Sequence, residues 1–215
     1  TDTPHYFEHS FDLNTDYNQI KRELSSFEIL KKPLKYGYGI RILKQNLFET
    51  LISFIISANN NIKRIKLILN NLRKAFENEN KRKSFPSCAQ LLSKDEQFFK
   101  MAGCGYRASY LYKVLRQIDE KTLENYQSLD TKSLREKLIN LAGVGPKVAD
   151  CILLFGYGRG DVFPVDTWIK QMYNQFYQPI ENREQIRNSL TAQFGKFSGF
   201  AQQYLFYYQR SFIKK

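Results

Sequence analysis

LAGVGPKVADC at residues 141–151, followed by Asp166 in the segment PVDTW (164–168), is the stretch that decides the fold of this chain. Gly143 and Gly145 bracket Val144 in a turn that Leu141 enters from one apolar helix and Lys147 leaves into another, the pattern of a helix-hairpin-helix over residues 141–156. The glycines permit positive φ and let main-chain N–H groups stand bare at the start of the second helix. Bare N–H groups at a helix N-terminus attract anions, so Gly143, Val144 and Gly145 read as a phosphate-binding hairpin. Pro146 falls at the first helical position, where its missing N–H costs nothing.

Outward from the hairpin the period is helical: apolar residues recur at three and four in IKRIKLILNNLRKAF, YLYKVLRQI, LREKLINLA and VADCILLF. No run alternates as a strand does, which predicts an all-α fold. The most apolar run, LFETLISFIIS at 47–57, is about half the length of a membrane span and reads as a helix buried on all sides. Lys32-Pro33, Gly37–Gly39, Gly103–Gly105 and the Gly156–Gly160 cluster mark breaks between elements.

With 33 Lys+Arg against 21 Asp+Glu, the 215 residues carry a formal charge of +12, the footprint of a protein that meets a polyanion. The excess is local: Lys63, Arg64, Lys66, Arg73, Lys74, Lys81, Arg82 and Lys83 face only Glu77 and Glu79. A solvated helix face followed by a charged loop accounts for most of these equally well. Cys88, Cys104 and Cys151 are an odd set without paired metal spacing, which argues for a reducing interior, no disulfide framework and no metal. Neither a signal peptide nor a membrane span is apparent, so no membrane partner is expected.

The hairpin with Lys147 and Asp166 resembles the helix-hairpin-helix (HhH-GPD) superfamily of DNA glycosylases, and within it the 8-oxoguanine DNA glycosylase/AP lyase branch. Three further segments are similar to that branch: SANNNIKRI (57–65), GCGYRASYL (103–111) and FAQQYLF (200–206). The resemblance implies a two-lobed helical fold with the catalytic cleft between the lobes. One discontinuous lobe, 1–47 plus 164–215, would carry the aspartate and the base-stacking helix; a helical barrel lobe, 48–163, would contain the hairpin. The family's N-terminal β-rich domain would be largely absent, with only YFEHSFDLNTDYNQIKREL remaining of it.

The resemblance also implies a chemistry: removal of 8-oxoguanine, preferably opposite cytosine, through a lysine Schiff base and β-elimination. Lys147 would be the nucleophile at C1′ and Asp166 the anion that stabilises the cationic sugar. An ordinary lysine, with a pKa of about 10.4, is almost wholly protonated at neutral pH, so such a nucleophile needs desolvation. Taken alone, Lys147 would be a phosphate contact and Asp166 the N-cap of TWIKQMYNQF. Cys151 lies four residues beyond Lys147, and Phe206 four beyond Gln202, so each pair shares a helix face. By resemblance, Cys151 and Phe206 sandwich a flipped base while Gln202 reads its Watson–Crick edge; alone, both would be ordinary core residues. Asn59 resembles the residue that fills the vacated space, Tyr106 the wedge, and Arg64 and Arg107 the holders of the orphaned cytosine. On its own, Asn59–Asn61 would be a cap or turn.

Two departures stand out. Trp168 occupies the place of a histidine in eukaryotic members, and the glycine whose carbonyl senses the N7 proton of 8-oxoguanine would fall in the β-rich segment. No cofactor is required by the resemblance, and FYYQRSFIKK has no counterpart of the four-cysteine iron–sulfur loop of the endonuclease III branch. The expected partner is double-stranded DNA containing a damaged base, met by a monomer inside the cell, in the cytoplasm or nucleoid of a bacterium or the nucleus of a eukaryote. Two alternatives stay open: a related glycosylase for other oxidised or alkylated bases, and a non-catalytic DNA-binding scaffold. The monofunctional alkyl-base enzymes share the aspartate but lack a lysine at this place, so Lys147 favours the lyase.

Overall fold

The computed structural model describes residues 3–76 and 84–213. Of the basic cluster, Lys81, Arg82 and Lys83 lie outside the described residues, as do Glu77 and Glu79. Among the described residues there are α-helices and short 3-10 turns but no strand, so the chain is all-α. No described helix is long and apolar enough to cross a membrane.

The chain divides into two compact units, residues 1–45 with 153–215, and residues 46–152. The first holds α1 (Thr3–Ser10), α2 (Tyr17–Leu24), α3 (Glu28–Tyr36), α12 (Thr167–Phe176), α13 (Arg183–Phe194) and α14 (Ser198–Ile213). The second holds α4 (Leu47–Ser57), α5 (Ile62–Lys74), α6 (Cys88–Leu92), α7 (Glu96–Met101), α8 (Arg107–Gln117), α9 (Glu120–Asn125) and α10 (Thr131–Ile139). The division falls inside α11 (Pro146–Phe155), so one continuous helix belongs to both.

In the first unit α14 packs on α3 and α12, burying Leu24, Leu30, Leu34, Ile169, Leu190 and Tyr204 in one core. Lys32-Pro33 does not break the chain as its composition suggests: Pro33 lies inside α3. Its ring removes one backbone hydrogen bond, and burial of that apolar ring in the unit offsets the loss.

The second unit is built around α4, which packs against α5, α8 and α9. Asn46 starts it by accepting the Glu49 N–H at 2.9 Å. Leu51, Ile52, Ile55 and Ile56 are then wholly buried, each worth about 1.5–3 kcal/mol against exposure. Helix α5 is amphipathic: Ile68 and Leu72 point inward while Lys63, Arg64, Lys66 and Lys74 are exposed. Arg73 departs from that basic face, pairing with Glu49 and lying 5.7 Å from the Phe85 ring centroid.

Candidate active site

The hairpin turn runs between the end of α10 and Pro146, the first residue of α11. Gly143 adopts φ +81°, and a Cβ there would stand 2.7 Å from Tyr110 Cβ and 3.1 Å from Ile55 Cγ2. Only glycine meets both demands, so the turn is seated directly on α8 and α4. Val144 is buried and plugs the turn into the unit. Gly145 is exposed, with nothing within 4 Å of where its Cβ would be. The N–H groups of Lys147 and Val148, in the first turn of α11, have no acceptor within the helix by position. Together these leave an open approach for a phosphate at the positive end of α11.

Lys147 is half-buried, with Nζ 5.5 Å from the centroid of the Phe54 ring. That ring excludes water from one side of the amine and offers it a cation–π contact. One turn on, Asp150 is buried and accepts from Arg135 Nε at 2.7 Å and Nη2 at 3.4 Å, which ties α11 to α10. Cys151 follows on the same helix, 4% exposed. Lys147 and Cys151 thus share α11, as their spacing predicts.

Asp166 follows a buried segment in which Val162, Phe163 and Val165 point inward, and it is itself half-buried. Its Oδ1 accepts the Ile169 N–H at 2.8 Å, so it caps α12. The cap engages one carboxylate oxygen, Oδ1. Trp168, two residues on, is exposed. Gln202 and Phe206 lie on α14: Gln202 is 5% exposed and its Oε1 accepts from Gln203 Nε2 at 2.6 Å, while Phe206 is half-buried against the core of its unit.

The remaining expected residues come together at two turns of the second unit. Asn59 follows α4 with φ +48° and an exposed side chain, the left-handed conformation that asparagine tolerates at a helix C-terminus. Asn61 caps α5 by accepting the Arg64 N–H at 2.9 Å. Across from this turn, Tyr106 is 55% exposed and its hydroxyl donates to the Ala58 carbonyl at 3.3 Å. Arg64 is exposed and donates from Nη2 to the Gly103 carbonyl at 3.2 Å. Arg107 is 4% exposed and donates to the carbonyls of Ala58, Asn59 and Cys104.

Sequence pattern alone missed Phe54, Tyr110 and Ile55, which bed the lysine and the hairpin. Their only signal was apolar helical spacing, which every core residue shares. Cys104, in the second turn, is buried, and burial pushes its thiol up to about 11; it is a packing residue. Among the described residues no His, Cys, Asp and Glu side chains gather as a metal site would require.

Residues 52–195 match the family described as HhH-GPD superfamily base excision DNA repair protein, and residues 1–51 match the 8-oxoguanine DNA glycosylase N-terminal domain. An N-glycosylase/DNA lyase of Saccharomyces cerevisiae is 36% identical over 172 residues, covering 71% of this chain and 46% of the yeast protein. The chain therefore spans about half the length of that relative. The 8-oxoguanine glycosylase/lyase of Clostridium acetobutylicum, in its apo form, superposes with a TM-score of 0.89 at 42% identity, covering 95% of this chain and 75% of the other. The same enzyme bound to duplex DNA with cytosine opposite 8-oxoguanine gives a TM-score of 0.90 at 42% identity, covering 95% and 73%.

Proposed function

The chain belongs to the HhH-GPD superfamily, in its 8-oxoguanine DNA glycosylase branch, and from that membership we propose that it excises 8-oxoguanine from duplex DNA and then cleaves the strand. The observation that carries this is a lysine in the first turn of a helix whose N-terminal hairpin is open to phosphate. A phosphate held there brings the adjacent sugar to Lys147. Its uncharged Nζ attacks C1′, the glycosidic bond breaks and its electron pair leaves with the base. Loss of the amine proton and opening of the sugar give a Schiff base at C1′. Removal of a C2′ proton then expels the 3′ phosphate by β-elimination. Asp166 stabilises the cationic sugar: one carboxylate about 4 Å away is worth roughly 4 kcal/mol at an effective dielectric of 20.

Cys151 and Phe206 would clasp the extruded base, and Gln202 would read its edge once its amide leaves Gln203. Asn59 and Tyr106 would occupy the vacated step, with Arg64 and Arg107 holding the orphaned cytosine. Cytosine is the expected opposite base because arginine donors match its acceptor edge. The expected partner is damaged double-stranded DNA bound by a monomer, without cofactor.

Borohydride should trap the protein covalently on a duplex carrying 8-oxoguanine opposite cytosine, and Lys147→Gln should abolish trapping while duplex binding persists. Undiminished trapping in that variant would remove Lys147 from the role. Asp166→Asn is a clean test of charge, because asparagine also caps helices. It should lose at least about a hundredfold in single-turnover excision. A loss under about threefold would leave Asp166 a cap alone.

A further inference from the structure

Helices α2 and α3 enclose an open groove of about 480 Å³, lined by Asn18, Lys21, Arg22, Leu34, Lys35 and Tyr38, all within the first unit. Leu34 is buried in the core of that unit, while Arg22 and Lys35 are exposed. The neighbouring carboxylates are engaged elsewhere: Asp16 caps α2, Glu28 pairs with Lys31 at 2.5 Å and Glu23 with Lys196 at 3.6 Å. Tyr38 is 68% exposed, yet it is firmly placed. It stands on a turn closed by the Ile40 N–H, which donates to the Gly37 carbonyl at 2.9 Å. Gly37 itself is seated on its surroundings, since a Cβ there would stand 2.6 Å from Ile40 Cδ1 and 3.1 Å from Tyr204 Cδ1. Lys21 Nζ lies 3.6 Å from the centroid of the Tyr38 ring and donates to the Tyr38 carbonyl at 3.5 Å. One face of the ring is therefore covered by a cation and the other is open to solvent.

We propose that this groove is a second nucleic-acid contact, built from residues other than those of the hairpin: it holds an unpaired nucleotide whose base stacks on the open face of Tyr38 while Arg22 and Lys35 meet the flanking phosphates. An exposed, rigid ring beside cations on long stems is the chemistry of single-strand binding, because every base has a π-face and the backbone supplies the negative charge. A base inside a duplex presents only its edges, so a duplex would meet the cations and leave the ring unused. An acidic polypeptide would also meet the cations, but the negative face of an aromatic ring repels a carboxylate. The groove goes beyond the excision reaction and does not rest on it, since neither Tyr38 nor Lys35 takes part in the chemistry at Lys147 and Asp166.

A fluorescein-labelled oligothymidylate of about twelve nucleotides is the probe. It should bind the full chain, with Tyr38→Ala weakening it at least about fivefold and Tyr38→Phe, which keeps the ring, staying within about twofold. Lys35→Glu should also weaken it and should flatten its salt dependence, because a phosphate contact is removed. With bromouracil in place of thymine, irradiation should crosslink the strand at Tyr38, read by peptide mass spectrometry, and Lys147→Gln should keep that crosslink. Single-turnover excision from a lesion duplex should stay within about twofold of the parent in Tyr38→Ala. A smaller loss of oligothymidylate binding in Tyr38→Ala, or crosslinks that map away from Tyr38, would overturn the proposal. Displacement of the probe by polyglutamate as readily as by the unlabelled strand would overturn it in favour of an acidic polypeptide partner. A protein that crosslinks at Tyr38 but excises no lesion would defeat the proposed function alone, and one that excises without the crosslink would defeat this groove alone.

Discussion

At the scale of single residues, the two hairpin glycines do different jobs although the sequence presents them as a symmetrical pair around Val144. Gly143 is required by its positive φ and by its closeness to Tyr110. Gly145 is required by neither, since space is open around it. Gly143→Ala should therefore lower the unfolding free energy by more than about 1 kcal/mol, from backbone strain plus the forced shift of Tyr110. Gly145→Ala should stay within about 0.5 kcal/mol of the parent in a urea melt yet weaken duplex binding, because its methyl stands where phosphate would approach. Equal stability of the two variants would contradict this division. Lys147 and Asp166 are singled out together only by the resemblance to the family, since each alone has a common local use, a phosphate contact and a helix cap. Arg107 was legible only as a cation: no spacing rule indicates that its partners are carbonyls 48 and 49 residues away.

At the scale of elements, the helical period was readable almost throughout, since each helix shows its buried stripe at three and four. Pro33 is the exception, because local chemistry predicts a break where packing sustains a helix. The tie between α10 and α11 was likewise invisible: Arg135 and Asp150 are 15 residues apart on opposite sides of the turn. Asp150 is almost wholly buried and Arg135 nearly so, with side-chain exposures of 2% and 14%. Asp150→Leu, which removes the carboxylate facing the buried arginine, should cost about 3–5 kcal/mol in a denaturant melt, whereas Arg135→Met with Asp150→Leu should recover most of it. A single variant as stable as the parent would show that the hairpin's helices are held by apolar contacts alone.

For the whole molecule, the +12 charge implies an affinity for duplex DNA dominated by phosphate contacts. If about five phosphates are neutralised, binding should fall roughly 500-fold between about 50 and about 200 mM salt. A fall of less than about tenfold would mean that the basic face of α5 and the hairpin do not meet the backbone together. By itself the sequence determined the helical class, the hairpin turn and the family, because periodicity, turn glycines and short motifs are local and survive in one dimension. Tertiary structure alone decided which cations are spent inside the protein, as Arg73 is on Glu49, Arg135 on Asp150 and Arg107 on three carbonyls. It also decided which glycine is pressed against a neighbour. Both depend on distances between residues far apart in the chain, and a cation's type reveals nothing about whether water, a carboxylate or a main-chain oxygen will face it after folding.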